Sequence, residues 1–329
     1  MSHFKSEPFL NRAGRRQRRG RNPPGPIVDV LKHLGDSLHA QGRRYRKRLK
    51  RCQKHFSEDA VHASRVATRR LLATIELLGA FIPEPDLRKA RRALKRHLDI
   101  FDQLRDTQVQ LVYVGRMAGT FPEAHAFYDW LQSRQARYTR ETRKAVKHIR
   151  IKRLSRRLAT LEREIRRQRK KLAGKQAHGI VLRSINQAFA RVARLCRHVR
   201  ARDTKTIHRT RIAFKRFRYM VEALAPLLPV VTPDHRRAMR GYQCMMGDIQ
   251  DMEVLLAALD KFVQKEGVDI RSARRLKREL VRWRQLLIEI YLNAAGRLRR
   301  FWPPRESGQP LQKRQKTHEP LSASARHRR

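Results

Sequence analysis

Two stretches decide the reading of this chain: VHASRVATRRL, spanning Val61–Leu71, and IHRTRIAFKRF, spanning Ile207–Phe217. Both run β-branched, His, two others, Arg, β-branched, Ala, one other, basic, basic, apolar, and they lie 146 residues apart. Beyond them Glu76 answers Glu222. Farther on, LRDTQV (Leu104–Val109) answers IQDMEV (Ile249–Val254) at an offset of 145. In that second frame Arg91, Arg92 and Lys95 answer Arg236, Arg237 and Arg240. Three blocks in order at nearly one offset indicate a duplicated helical unit, with a boundary expected near Gly174–Gly179.

At about 100° per residue, Phe214, Phe217, Val221 and Leu224 fall in one arc and predict a core face. His208, Arg211, Lys215 and Arg218 fall roughly opposite. In the first copy Leu71, Ile75 and Leu78 point inward, and His62, Arg65 and Arg69 outward. Each copy thus carries cationic groups at i, i+3, i+7, a row about 10 Å long that suits successive phosphates on a polymer. Arginine provides a two-pronged donor for phosphate oxygens, and histidine donates from one nitrogen when neutral and two when charged. Asp59 and Asp203–Thr204 are candidate N-caps, while Glu76 and Glu222 are placed to tie down an arginine. Asp106 and Asp251 read as helix residues paired with neighbouring arginines.

The surrounding chain fits this picture. Among 329 residues, 79 are Lys or Arg and 29 Asp or Glu, a formal charge of +50. Such an excess is self-repelling unless a polyanion neutralises it. Residues 1–26 and 303–329 lack hydrophobic periodicity and are expected to be disordered basic tails, leaving +39 on residues 27–302. Within 27–302 apolar residues recur at helical spacing, as in Ile27, Val30, Leu31, Leu34 and Leu38, so an all-α fold of long antiparallel helices is predicted. Breaks are expected at Pro83–Pro85, Gly119–Pro122, Gly174–Gly179, Pro226–Pro233 and Gly267. Three separated cysteines and no long apolar run point to a cytoplasmic chain that neither forms disulfides nor spans a membrane.

In the motifs VHASRVATRRL, IHRTRIAFKRFRYMVE, LRDTQV and GDIQDMEV the sequence resembles the CHAD family, the conserved-histidine α-helical domain. The resemblance covers about residues 27–302, in halves 27–174 and 175–302. It implies two antiparallel four-helix bundles related by a pseudo-two-fold axis. It also implies binding of inorganic polyphosphate on a basic central surface, with association with polyphosphate or polyhydroxyalkanoate granules in some members. Carried over, the binding set is His62, Arg65, Arg69, Arg70, Arg105, His208, Arg211, Lys215, Arg216 and Arg218, with Arg91, Arg92, Lys95, Arg236, Arg237 and Arg240 lining the same surface. The match is uneven: Leu72 stands opposite Arg218, Gln250 opposite Arg105, and Asp102 opposite Gly247, where the family often has glycine.

No phosphate-loop, dinucleotide, zinc-protease or nucleophile-elbow motif occurs, so no catalytic residue and no cofactor is expected. His55, Glu58 and His62 have the spacing of metal ligands on one helix, yet Ser57–Asp59 reads as a helix start between them. The rival reading is a nucleoid-type protein that binds DNA or RNA without sequence preference. Residues 134–175 alone hold 18 basic and 3 acidic side chains, enough for salt-sensitive binding to any phosphate backbone. Aromatics are only 7% of residues and sit mostly at core spacing, leaving few platforms for stacking bases.

Overall fold

The computed structural model describes residues 29–266 and 270–303, which form ten α-helices and no strand. The two expected tails, apart from Pro303, and the expected break at Gly267 lie outside the described residues. The helices are α1 Val30–Lys54, α2 Glu58–Leu78, α3 Glu84–Asp99, α4 Asp102–Met117, α5 Ala124–Lys147 and α6 Ile151–Lys171. They continue with α7 Gly174–Arg197, α8 Thr204–Leu224, α9 Pro233–Glu266 and α10 Ile270–Ala294, followed by a 3₁₀ turn, Ala295–Arg300. No helix among the described residues is long and apolar enough to cross a membrane.

Proline and glycine mark the α2–α3, α4–α5 and α8–α9 turns as expected. The break expected at Gly174–Gly179 falls earlier, at Leu172–Ala173, and both glycines lie inside α7. The α3–α4 turn at Ile100–Phe101 contains neither residue type; there the chain turns Phe101 into the core, where it is 1% exposed. Asp59 is not the cap of α2. Ser57 is, its hydroxyl accepting from the Ala60 amide, and Asp59 lies in the first helical turn. Asp203 caps α8 through Lys205. His55 terminates α1, so it does not share a helix with Glu58 and His62.

The predicted core faces are buried. Leu71, Ile75, Leu78, Phe214, Phe217 and Val221 have no accessible surface, each contributing about 1.5–3 kcal/mol of burial. The packing, however, does not divide at residue 174. One hydrophobic cluster takes in α1, α2, α3 and α6 together with α7, α8, the start of α9 and Phe301–Trp302. A second joins the α4–α5 hairpin to the far part of α9 and to α10, with Phe127, Trp130 and Phe262 in ring contact. The four-helix groupings therefore cross the boundary between the halves, and α2 packs directly against α8.

Helix lengths recur between the halves. α1 and α7 have 25 and 24 residues, α2 and α8 both have 21, and α5 and α10 have 24 and 25. The 34-residue α9 runs unbroken where α3 and α4 are separate. α6 has no counterpart among the described residues; in the second half Phe301 and Trp302 close the core instead, with the Trp302 indole N–H bonded to Asn186 Oδ1 at 2.6 Å.

Candidate anion-binding site

The arc opposite the core on α2 and on α8 is only partly free surface: the two helices pack together, and Asp102 of α4 and Gln243 of α9 reach into it. This corrects the expected outward placement of two arginines. Arg65 is 7% exposed and Arg218 5%. A guanidinium removed from water needs a partner, and both have one. Arg65 pairs with Asp102 at 3.2 Å. Arg218 donates to Glu222 at 2.5 Å and to Gln243 Oε1 at 2.9 Å. Glu222 thus restrains an arginine of its own copy, as expected, and also reaches Arg240 at 3.4 Å. Glu76 acts across the junction and pairs with Arg216.

Between these fixed pairs lies a cluster with few partners. Arg69, Arg211 and Lys215 are half-buried, and Arg65, Arg69 and Arg211 all repel the Lys215 ammonium. Burial first, and those like charges second, hold the Lys215 pKa down to about 7. The Nε atoms of Arg69 and Arg211 and Nδ1 of His208 are buried without a hydrogen-bond partner. The asymmetry between copies has a concrete cause. Arg65 meets Asp102, whereas the equivalent Arg211 meets Gly247, where an added Cβ would sit 3.8 Å from its Nε. Among the described residues Arg211 forms no ion pair, and the carboxylates that feel its charge, Asp106, Asp248 and Asp251, do so without direct contact.

The carboxylates nearby also depart from expectation. Asp106 and Asp251 form no ion pair among the described residues. Asp106 is exposed at its edge, yet crowding of its carboxyl, then the Asp102 and Asp251 charges, push its pKa up to about 6 against the pull of Arg65 and Arg211. Burial likewise raises Asp248 and Asp251, opposed in both by Arg211.

The remaining candidates separate. Arg70, Arg236 and Arg240 line a groove of about 480 Å³ along one edge of the α2–α8 junction. Arg44, His33 and Glu222 line it too, and Arg44 and His33 were not picked out from sequence. No motif marks them; they arrive through the packing of α1 on α2. Arg105 is exposed and acts on Arg65 and Asp251. His62, Arg92 and Lys95 are exposed and Arg91 is half-buried. Arg237 pairs with Asp234 on the surface instead.

Lys215 predicts opposite pH dependences for stability and binding. With its folded pKa below the unfolded value, the unfolded chain binds more protons above about pH 7, so stability of the ligand-free protein rises from pH 7 toward 10. A polyanion favours the ammonium, so anion binding takes up a proton and weakens over the same range. Melting curves and titrations at matched ionic strength between pH 6 and 9 test this, and Lys215→Arg is expected to flatten both profiles.

The molecule is thus an all-α protein whose α2–α8 junction gathers guanidinium, ammonium and imidazole nitrogens, several of them without a hydrogen-bond partner. It belongs to the CHAD-domain family, whose model matches residues 36–260. A crystal structure of the CHAD domain from the plant Ricinus communis is similar at TM-score 0.63, with 17% identity over 81% of this chain and 91% of that one. PptA from Streptomyces chartreusis matches at TM-score 0.63, with 14% identity over 82% of this chain and 99% of the other. A search of curated sequences gives no match.

Proposed function

We propose that the chain binds inorganic polyphosphate at the α2–α8 junction, without catalysing its turnover, and that this binding carries it to polyphosphate or storage granules. The observation that carries this reading is the pair of buried, unpartnered donors Arg69 Nε and Arg211 Nε, with the unpartnered His208 Nδ1, beside the depressed Lys215. Such donors are costly without an acceptor, and a phosphate chain supplies acceptors at every unit. Membership of the CHAD family supports it.

The second reading, a nucleic-acid binder, is favoured by the charge alone. Competition separates the two. At about 0.15 M salt, where exposed charges beyond roughly 8 Å are screened, long-chain polyphosphate is expected to displace duplex DNA at far lower phosphate concentration than the reverse. Equal displacement on a per-phosphate basis would favour the nucleic-acid reading.

A further inference from the structure

A second cationic groove lies away from α2 and α8. It measures about 600 Å³ and is formed by the end of α3, the end of α5 and the start of α6. Arg96, His148, Arg150, Arg153 and Arg157 line it together with one carboxylate, Asp99, over a floor that includes Ile149 and Leu154. Arg150, Arg153 and Arg157 stand at i, i+3, i+7, the spacing of His62, Arg65, Arg69 and of His208, Arg211, Lys215. None of its lining residues belongs to the junction cluster.

The groove is built rather than incidental. Gln53 of α1 donates to the Val146 and Ile149 carbonyls and so fixes the turn from α5 into α6. Arg157 is held by donation to the Lys89 carbonyl at 3.1 Å, and His97 at the back is bonded to the Tyr45 hydroxyl at 2.7 Å and stacked on its ring. Arg96, Arg150 and Arg153 are exposed and form no ion pair among the described residues. The first turn of α6 has no acidic residue and no side-chain cap, so its amides add to the positive field. The lining contains no Phe, Tyr or Trp, and its one stacked imidazole is engaged by Tyr45.

We propose that this α3–α5–α6 groove is a second binding site for a phosphoanhydride chain, so that one protein holds two stretches of polyphosphate at once. The inference rests on the polyphosphate reading of the junction, which it extends. Guanidinium groups gathered along one groove, one of them held by the Lys89 carbonyl, recognise successive phosphates, and the absence of stacking platforms favours a bare phosphate chain over nucleic acid. Two sites on one rigid body convert binding into cross-linking, the property needed to condense chains into a granule.

The test uses the full chain and tripolyphosphate, too short to occupy both places, with stoichiometry read by isothermal titration. Wild type is expected to bind two equivalents. Arg96→Gln/Arg150→Gln/Arg153→Gln is expected to bind one with unchanged melting temperature, and Arg69→Gln/Arg211→Gln also one, at the groove. Arg274→Gln/Arg278→Gln/Arg282→Gln, an equal charge loss on the exposed face of α10, is expected to keep two. A single equivalent in wild type, lost in the Arg69/Arg211 variant and kept in the groove variant, overturns the second site and leaves the junction reading standing. Loss only in the groove variant overturns the junction reading instead. Equal losses in the groove and α10 variants, or preference of the groove for single-stranded DNA over tripolyphosphate, overturn the assignment.

Discussion

Replacing Arg69 and Arg211 together by Gln is expected to weaken junction binding of polyphosphate by at least about 100-fold while raising the melting temperature of the ligand-free protein. Both guanidinium groups are half-buried, and their Nε atoms have no partner. Each charge-assisted contact they make to phosphate is worth about 1.5–3 kcal/mol, so two give roughly 3–6 kcal/mol, or two to four decades in affinity before any non-additivity. In the free protein both groups repel Lys215. Arg211 is attracted to Asp106, Asp248 and Asp251, but burial already holds these carboxylates toward the neutral form. Removal of the two arginines therefore relieves strain in the empty site, the usual exchange between stability and function. Binding to duplex DNA follows the number of phosphates neutralised and is expected to fall no more than for Arg274→Gln/Arg278→Gln. Titration of both ligands and thermal melts decide it. An unchanged polyphosphate affinity would return these arginines to the role of bulk charge.

The largest stability effect is expected at Glu222. Its carboxylate is the acceptor for Arg218, which is 5% exposed and is otherwise held by Gln243 and by the Tyr219 ring, whose centroid lies 4.3 Å from the guanidinium carbon. Glu222→Ala leaves a buried cation without its counter-charge, a change that costs about 3–5 kcal/mol, or on the order of 10 °C in melting temperature for a domain of this size. Arg218→Met removes the charge with its partner left near solvent, where Arg240 still neutralises it, and is expected to cost clearly less. Denaturant titration of the two variants distinguishes these outcomes. Equal losses would mean that packing, rather than charge compensation, sets the role of Arg218.

The helical character and the core were legible in the sequence because both depend on local spacing. Leu71, Ile75, Phe214 and Phe217 recur at three and four residues, and burial follows that period. The registered pairs Arg65 with Arg211 and Asp102 with Gly247 could also be read off. What each arginine touches could not. The arc opposite a helix core reads as solvent only if no second helix covers it, and nothing in the row His208, Arg211, Lys215, Arg218 records that α2 lies against α8.

Periodicity and composition by themselves determined an all-α chain, its inward faces and its cationic rows, since helix geometry fixes which residues share a side. Tertiary packing decided the rest. It buried Arg65 and Arg218 into fixed pairs and set Arg211 beside Gly247 at the place where Arg65 has Asp102. It crowded Lys215 among three arginines. It also drew Arg96 beside Arg150 and Arg153 from a distant part of the chain. The physical reason is the same in each case: charge pairing and desolvation depend on distances of a few ångströms between helices far apart in sequence, which only the packed structure sets.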